Sequence, residues 1–204
     1  MLKLTLTEDY VDLHSYIGSR NMFPNLKRTF FSLLAIYICL SLCQPASGAG
    51  NVPTEMEGLL NFHEVHPYLY RGGAPDESSL KKLKEKGVAT IIDLRAPSEC
   101  KLPEKKLVKE LGMDYINLPM ASQAPTKEQL KIFIDKVEKA EKKESGPVFV
   151  HCAHGSDRTG CLVGIWRVSH EGWSYDKAYE EMRKYFFGPK FTALSGAVKN
   201  AVPN

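Results

Sequence analysis

The segment formed by residues 147–168 constrains the fold more than any other part of the chain. It begins with a short apolar run at 147–150, which predicts a buried strand. It ends with a second apolar run at 161–168, which predicts a buried helix. Between them, His-Cys-Ala-His-Gly-Ser-Asp-Arg-Thr-Gly reads as a tight polar loop leading into a helix N-terminus. Backbone N–H groups and the positive end of the helix dipole meet in such a loop, so we expect it to bind an anion.

The side chains of this loop suit phosphate chemistry. A thiol at Cys152, beside N–H donors and a guanidinium, is favoured as the thiolate, which is the nucleophilic form. Arg158 carries a planar fork of donors that matches two phosphate oxygens. Thr159 can donate its hydroxyl to the Cys152 sulfur or cap the helix, and His151 can hold the loop from behind through its ring. The loop is therefore predicted to hold a phosphoryl group next to a nucleophile.

This pattern resembles the signature of the protein tyrosine phosphatase superfamily, His-Cys-x-x-x-x-x-Arg-Ser/Thr, at His151, Cys152, Arg158 and Thr159. The extended loop is similar to bacterial dual-specificity-like phosphatases, including the group found fused to NAD kinase. The resemblance covers residues 62–204. It implies an α/β fold of three layers, with a mostly parallel central sheet flanked by helices. It also implies hydrolysis of phosphomonoesters through a phosphocysteine intermediate, with no metal and no other cofactor.

We also predict which residues contact the substrate. They belong to the loop itself, with one arginine from an earlier strand end: Ala153, His154, Gly155, Ser156, Asp157, Arg158 and Arg95. Arg95 ends an Ile-Asp-Leu-Arg run, where it can either brace the neighbouring loop or line the pocket. Asp93 in the same run is more simply interpreted as a structural brace.

The proton donor for the leaving group is the main departure from the family pattern. Similar phosphatases place an aspartate on the loop after the preceding strand, but residues 119–125 contain no carboxylate. Asp157 is our first candidate, although it can equally hydrogen-bond loop amides or Arg158. His154 is a second candidate at mildly acidic pH. Asp93 is a third, less favoured because of its expected structural role.

Strands alternate with helices along the rest of the chain, which predicts a largely parallel sheet. Strands are expected at 62–70, 88–94 and 114–118, with a turn at 71–75. Helix starts are predicted at the capping residues Asp76, Pro103, Thr126 and Ser174, and a last helix at 191–198. Three loops should converge at the carboxyl edge of the sheet, 95–102, 119–125 and 152–158, because ligands bind at that edge in such folds.

The N-terminal region does not look like part of this domain. Residues 22–49 have a basic start, an apolar run and small residues before a cleavage point, which predicts a signal peptide or an uncleaved signal anchor. Residues 1–21 carry acidic side chains and are interpreted as a non-native upstream extension. Residues 50–61 are predicted to be a linker. We therefore expect a periplasmic or secreted protein, or one anchored to the membrane by this segment.

Composition narrows the partners. A net charge of +3 gives no reason to expect a nucleic-acid surface. The odd set Cys100, Cys152 and Cys161 does not form a disulfide framework. The expected partner is a phosphorylated protein or a small phosphoester. We expect the protein to be a monomer, and to contact a membrane only if the signal segment is not cleaved. Two alternatives remain open: a weakly active phosphate-binding protein and a phosphatase of inositol phosphates.

Overall fold

The computed structural model describes residues 56–100 and 103–201. Its strands and helices follow one another as β1 (His63–His66), β2 (Leu69–Gly72), α1 (Glu77–Glu85), β3 (Thr90–Asp93), α2 (Glu104–Glu110), β4 (Asp114–Asn117), α3 (Lys127–Glu141), β5 (Val148–His151), α4 (Asp157–Ser169), α5 (Tyr175–Lys184) and α6 (Thr192–Lys199). A short 3-10 helix, Pro97–Glu99, follows β3. The predicted alternation of strands and helices is confirmed.

The strands form one five-stranded sheet in the order β1-β2-β5-β3-β4. The β1–β2 pair is antiparallel, and the other three pairs are parallel. Strand β5 lies at the centre, and each of its four residues is buried. Because β5 carries the predicted anion-binding loop, the loop emerges from the central strand of the sheet.

Alternating side chains along the strands build a core on each face of the sheet. Tyr70, Ile91 and Phe149 pack on one face against apolar residues of α1 and α2. Ile92 and Val150 point to the other face, which α3 and α4 cover, and α5 and α6 pack against α4. The result is the three-layer α/β architecture expected from the sequence. Strand β5 is apolar on both faces because it is covered twice.

Local capping signals fix most helix starts. The Asp76 carboxylate accepts a hydrogen bond from Ser79 N at 2.7 Å and caps α1. Thr126 and Gln129 form the predicted capping box of α3. Pro103 and Ser174 precede α2 and α5 as predicted. These are short-range interactions, which explains why the sequence alone reveals them.

Two predictions at the start of the domain need correction. The single strand predicted at 62–70 is a hairpin, β1 and β2, and the expected turn at 71–75 begins only after Gly72. The second half of the predicted 50–61 linker is packed into the domain, because Met56, Leu59 and Asn61 are buried. Leu59 belongs to the core on the α1 and α2 face of the sheet.

The predicted N-terminal extension (1–21), the signal segment (22–49) and the first part of the linker lie outside the described residues. Within the described ranges, no helix has the length and apolar character needed to span a bilayer. Cys100, Cys152 and Cys161 are free thiols in the described structure.

Two adjacent leucines provide a matched test of this packing. Leu59 is 1% exposed and Leu60 is 56% exposed. Leu59→Ala should lower the free energy of unfolding by about 2–5 kcal/mol, because it leaves a cavity in the core. Leu60→Ala should change it by less than about 0.5 kcal/mol. Denaturant unfolding of both variants measures the difference, and equal effects would show that residues 56–61 are not part of the folded domain.

Candidate active site

The structure confirms the expected sequence of strand, loop and helix. Strand β5 ends at His151, the loop runs through residues 152–156, and α4 begins at Asp157. Ser156 is the N-cap residue of α4, yet its side chain makes no capping hydrogen bond. The first N–H groups of the helix therefore remain directed toward the loop, where they can bind an anion.

The loop carbonyls are held from outside. Three of them accept hydrogen bonds from neighbouring segments: Ala153 O from Ala74 N (3.2 Å), His154 O from Asn61 Nδ2 (3.4 Å) and Gly155 O from Arg71 Nη2 (2.8 Å). In a planar trans peptide, the C=O and the following N–H point in opposite directions. The N–H groups of His154, Gly155 and Ser156 therefore point away from these donors, into the hollow of the loop.

Gly155 is required for the curvature of the loop. Its φ is +73°, in the left-handed region that favours glycine. A Cβ atom at this position would lie 2.5 Å from the carbonyl carbon of Gly72 and 2.7 Å from Gly73 N. The loop thus passes directly against the end of β2, and a larger residue at 155 would push the two segments apart.

Arg158 connects the three predicted loops. Its Nη1 lies 2.7 Å and its Nη2 2.9 Å from the two carboxylate oxygens of Glu99. Nη1 also donates to Leu94 O at 3.4 Å and to Met120 O at 3.2 Å, at the ends of β3 and β4. The predicted convergence of loops at the carboxyl edge is confirmed here. The Arg158 side chain also interacts with that of Cys152, so its guanidinium lies beside the predicted nucleophile.

The Cys152 thiolate interacts electrostatically with two guanidinium groups, those of Arg158 and Arg71. Cys152 is 3% exposed. Burial lowers the pKa of Arg158. The hydrogen bond to Glu99 and the negative charge of the Cys152 thiolate raise it by more, so the pKa lies above its ordinary value. The same thiolate charge also acts to raise the pKa of Arg71. The predicted nucleophile and the predicted phosphate-binding arginine are therefore together.

His151 belongs to a buried charged network behind the loop. Its Nε2 lies 2.9 Å from Glu104 Oε1, and its Nδ1 lies 3.4 Å from Cys152 O. Arg95 bonds to both carboxylate oxygens of Asp93, at 2.9 and 2.8 Å, and also to Glu104. Asp93 therefore braces the end of β3, as predicted. His151 is held by the ring contact expected from the sequence.

The network contains side chains that could bind a metal ion, but the guanidinium of Arg95 lies among them instead. One ligand atom each from Asp93, Glu104 and His151 lie within 4.8 Å of one another. The guanidinium of Arg95 already bonds to both carboxylates, and the imidazole bonds to Glu104. Because these oxygens have protein donors, the cluster suits a buried cationic side chain better than a metal ion.

Arg95 combines the two roles that the sequence left open. It is buried in the network and also lines a cavity of about 290 Å³ beside the loop. The cavity is lined by Ala74, Pro75, Asp76, Arg95, Glu99, Glu104 and Ala153. Burial lowers the pKa of Arg95, but Asp93 and Glu104 raise it by more. The guanidinium is thus a permanent cation whose charge is balanced by its carboxylate partners.

The other predicted residues differ in their contacts. Thr159 is fully buried, and its hydroxyl has no partner in the described part of the chain, so neither expected hydrogen bond is present. Asp157 accepts a hydrogen bond from Gly188 N at 2.7 Å. His154 is exposed at the rim. Their predicted catalytic and binding roles stay predictions.

Two residues of the site were missed in the sequence. Glu99 stands 59 positions before its partner Arg158, and Arg71 stands 84 positions before its partner Gly155. Arg71 was assigned to a turn but lies in β2, fully buried. Arg71 pairs with Val150 in the parallel β2–β5 ladder and bonds to Gly155, and these contacts between distant positions could not be predicted from the local sequence.

Comparison with known proteins agrees with this geometry. The family described as "DSP-PTPase phosphatase fused to NAD+ Kinase" matches residues 52–200. The dual specificity protein phosphatase TpbA of Pseudomonas aeruginosa is 27% identical over 63% of this chain and 56% of its own length. Inositol diphosphatase SIW14 of Saccharomyces cerevisiae is 31% identical over 66% of this chain and 48% of its own. The chain thus spans about half the length of these curated relatives.

Solved structures show the same fold. A crystal structure of P. aeruginosa TpbA in complex with pTyr has a TM-score of 0.59 at 22% identity, covering 72% of this chain and 93% of that one. The fold, the Cys-x5-Arg loop and the family match together place the chain in the protein tyrosine phosphatase superfamily. More narrowly, the chain belongs to the family described as DSP-PTPase phosphatase fused to NAD+ kinase.

Glu99→Gln tests whether Glu99 holds Arg158. A glutamine of the same length can accept one hydrogen bond but carries no charge, so Arg158 should lose its fixed orientation. We expect kcat/KM for an aryl phosphate to fall about tenfold or more. Glu110→Gln is the control, because Glu110 is exposed and pairs only with Lys106 in the described structure. Equal activity of Glu99→Gln and wild type would remove Glu99 from the site.

The ion pair between Glu99 and Arg158 predicts that the free energy of unfolding depends on pH. The hydrogen bond from Arg158 lowers the pKa of Glu99 below its ordinary value, against a smaller upward contribution from burial. A lowered carboxyl pKa stabilises the fold above the unfolded-state value, about 4.3, and this contribution is lost as pH falls through the folded-state value. The gap in unfolding free energy between wild type and Glu99→Gln should therefore narrow in acid. A gap independent of pH would contradict the ion pair.

Proposed function

We propose that this protein is a cysteine-dependent phosphomonoester hydrolase. The observation that carries the proposal is that Cys152 and Arg158 flank a loop whose N–H groups share one hollow. The Cys152 thiolate would attack phosphorus, so that the S–P bond forms while the bond to the leaving oxygen breaks. Water then attacks phosphorus, the S–P bond breaks, and phosphate and thiolate are released. Arg158 and the loop amides stabilise the equatorial oxygens in both steps.

The leaving oxygen needs a proton in the first step, and we propose Asp157 as the donor. It begins α4, immediately before Arg158, and is partly exposed. Its Oδ1 accepts from Gly188 N, while Oδ2 has no donor among the described residues. An oxygen of this carboxyl group can therefore carry a proton without breaking the contact to Gly188. The resulting carboxylate would accept a proton from the attacking water in the second step.

Asp157→Asn tests this role. Asparagine keeps an oxygen for Gly188 N but cannot donate a proton as an acid. We expect turnover of alkyl phosphates to fall about 100-fold, because a poor leaving group needs protonation. Turnover of p-nitrophenyl phosphate should fall by less than about tenfold, since its leaving group is already stable. Steady-state kinetics on both substrates provide the measurement, and equal losses would exclude Asp157 as the acid.

The charge around the cavity favours substrates with a single phosphate on a weakly charged group. Asp76, Glu99 and Glu104 all line it, and Arg95 is the one cation among its lining residues. Arg95 is already bonded to Asp93 and Glu104. A substrate with several phosphates would bring uncompensated negative charge to these carboxylates. A phosphotyrosine or phosphoserine side chain of a protein fits this lining better.

An inositol phosphatase is a second candidate, because SIW14, called an inositol diphosphatase, is 31% identical to this chain. The two candidates differ in the number of phosphate groups that the site must accept. A substrate panel of phosphotyrosine peptides, phosphoserine peptides and inositol phosphates separates them. The highest kcat/KM on an inositol phosphate would make this second candidate the better one.

Cys152→Ser tests the enzyme against a protein that only binds phosphate. A serine hydroxyl is a much poorer nucleophile here than a thiolate, so turnover should fall at least about a thousandfold. Binding of inorganic phosphate should remain, because Arg158 and the loop amides are unchanged. Calorimetry gives the binding and the substrate panel gives the turnover. Turnover that survives in Cys152→Ser would mean that a different nucleophile is used.

We also propose that the protein acts outside the cytoplasm. The support is the sequence of residues 22–49, with its basic start, apolar run and small residues. Membrane contact would occur only if this segment stays attached. N-terminal sequencing of the protein isolated from its host tests the cleavage, and a chain beginning at Met1 would contradict it.

A further inference from the structure

Arg71 is a buried arginine behind the phosphate-binding loop. It lies in strand β2, and its side chain is 1% exposed. Its Nη2 donates to Gly155 O at 2.8 Å, and its guanidinium carbon lies 4.5 Å from the centre of the Tyr185 ring. Its Nε and Nη1 are completely buried and have no acceptor within the described residues. The side chain thus makes one hydrogen bond where five are possible.

The charge of Arg71 is not neutralised by an ion pair. Of the three buried arginines in the described ranges, Arg95 and Arg167 each contact two carboxylates, whereas Arg71 contacts none. Burial lowers the pKa of Arg71 to about 10, against upward contributions from Glu181, Tyr185 and Cys152 and a further downward one from Arg167. The side chain is still a cation at neutral pH. A buried, incompletely bonded charge costs stability, so another role must account for it.

The position of this charge indicates the role. Gly155 O is the loop carbonyl with the shortest of the three outward hydrogen bonds. Because Arg71 holds that carbonyl outward, the N–H of Ser156 is directed to the opposite side, where the anion would bind. The site therefore has one arginine in front, Arg158, whose charge Glu99 partly balances, and one behind, Arg71, with no carboxylate partner.

We propose that Arg71 is a positioning residue, which fixes the Gly155–Ser156 peptide with its N–H toward a bound phosphoryl group and supplies an unpaired positive charge behind it. This proposal rests on the proposed phosphoryl site of the loop. It requires that Arg71 contributes to anion binding rather than to stability. Its substitution should therefore separate these two properties, which a purely structural arginine would not do.

The test measures binding of inorganic phosphate by calorimetry, together with thermal unfolding in the absence of phosphate. Arg71→Met fills a similar volume without charge or donor. We expect phosphate affinity to fall at least about tenfold, because a low-polarity interior strengthens the lost interaction. The unfolding temperature should stay equal or rise, since an incompletely bonded charge has been removed. The control is Arg183→Met, because Arg183 is exposed and donates to Phe187 O, and its phosphate affinity should equal that of wild type.

Two further variants separate charge from hydrogen bonding and keep the test valid if Arg71→Met does not fold. Arg71→Lys keeps the positive charge, and Arg71→Gln keeps a neutral donor. We expect the lysine variant to bind phosphate more tightly than the glutamine variant. Equal binding of these two, or wild-type binding by Arg71→Met, would overturn the proposal. Failure of the proposed hydrolase would appear differently, as wild-type protein that binds phosphate and never turns over a substrate.

Discussion

The close contact between the loop of residues 152–156 and the end of strand β2 is the constraint on which the site depends. Parallel pairing of β2 with β5 places Gly72 opposite His151, so the segments that follow these two strands leave the sheet side by side. A Cβ on Gly155 would lie 2.5 Å from Gly72, so the segments can meet at this distance only because position 155 has no side chain. This contact lets donors behind the loop hold its carbonyls outward. The anion-binding hollow is therefore a consequence of sheet topology.

Three arginines surround the loop, and their partners give them different roles. Arg95 is balanced by Asp93 and Glu104, and it stabilises the end of β3. Arg158 is oriented by Glu99 and also interacts with the side chain of Cys152. Arg71 has no carboxylate partner in the described structure, so its charge acts on whatever occupies the hollow. In the roles that we propose, arginine serves structure, substrate binding and loop positioning, according to the number of carboxylates that each side chain contacts.

The sequence predicted those features that depend on neighbours along the chain. The strand, loop and helix around Cys152 follow from an apolar run, a polar loop and a second apolar run, and the caps at Asp76 and Thr126 are equally local. Glu99 and Arg71 could not be found in this way, because each meets its partner through the sheet rather than through the sequence. For the same reason, the burial of Leu59 was missed when its segment was interpreted as a linker.

The missing carboxylate in residues 119–125 has a structural consequence for catalysis. In the usual arrangement, an acid on a separate loop must be brought to the phosphate-binding arginine. Here Asp157 and Arg158 are consecutive residues at the start of one helix, and Asp157 is attached to Gly188 in the segment after α5. Their relative position is then fixed by helix geometry before any substrate binds. If Asp157 is the acid, the proton donor and the phosphate-binding arginine are preorganised together, and no loop closure is needed to assemble them.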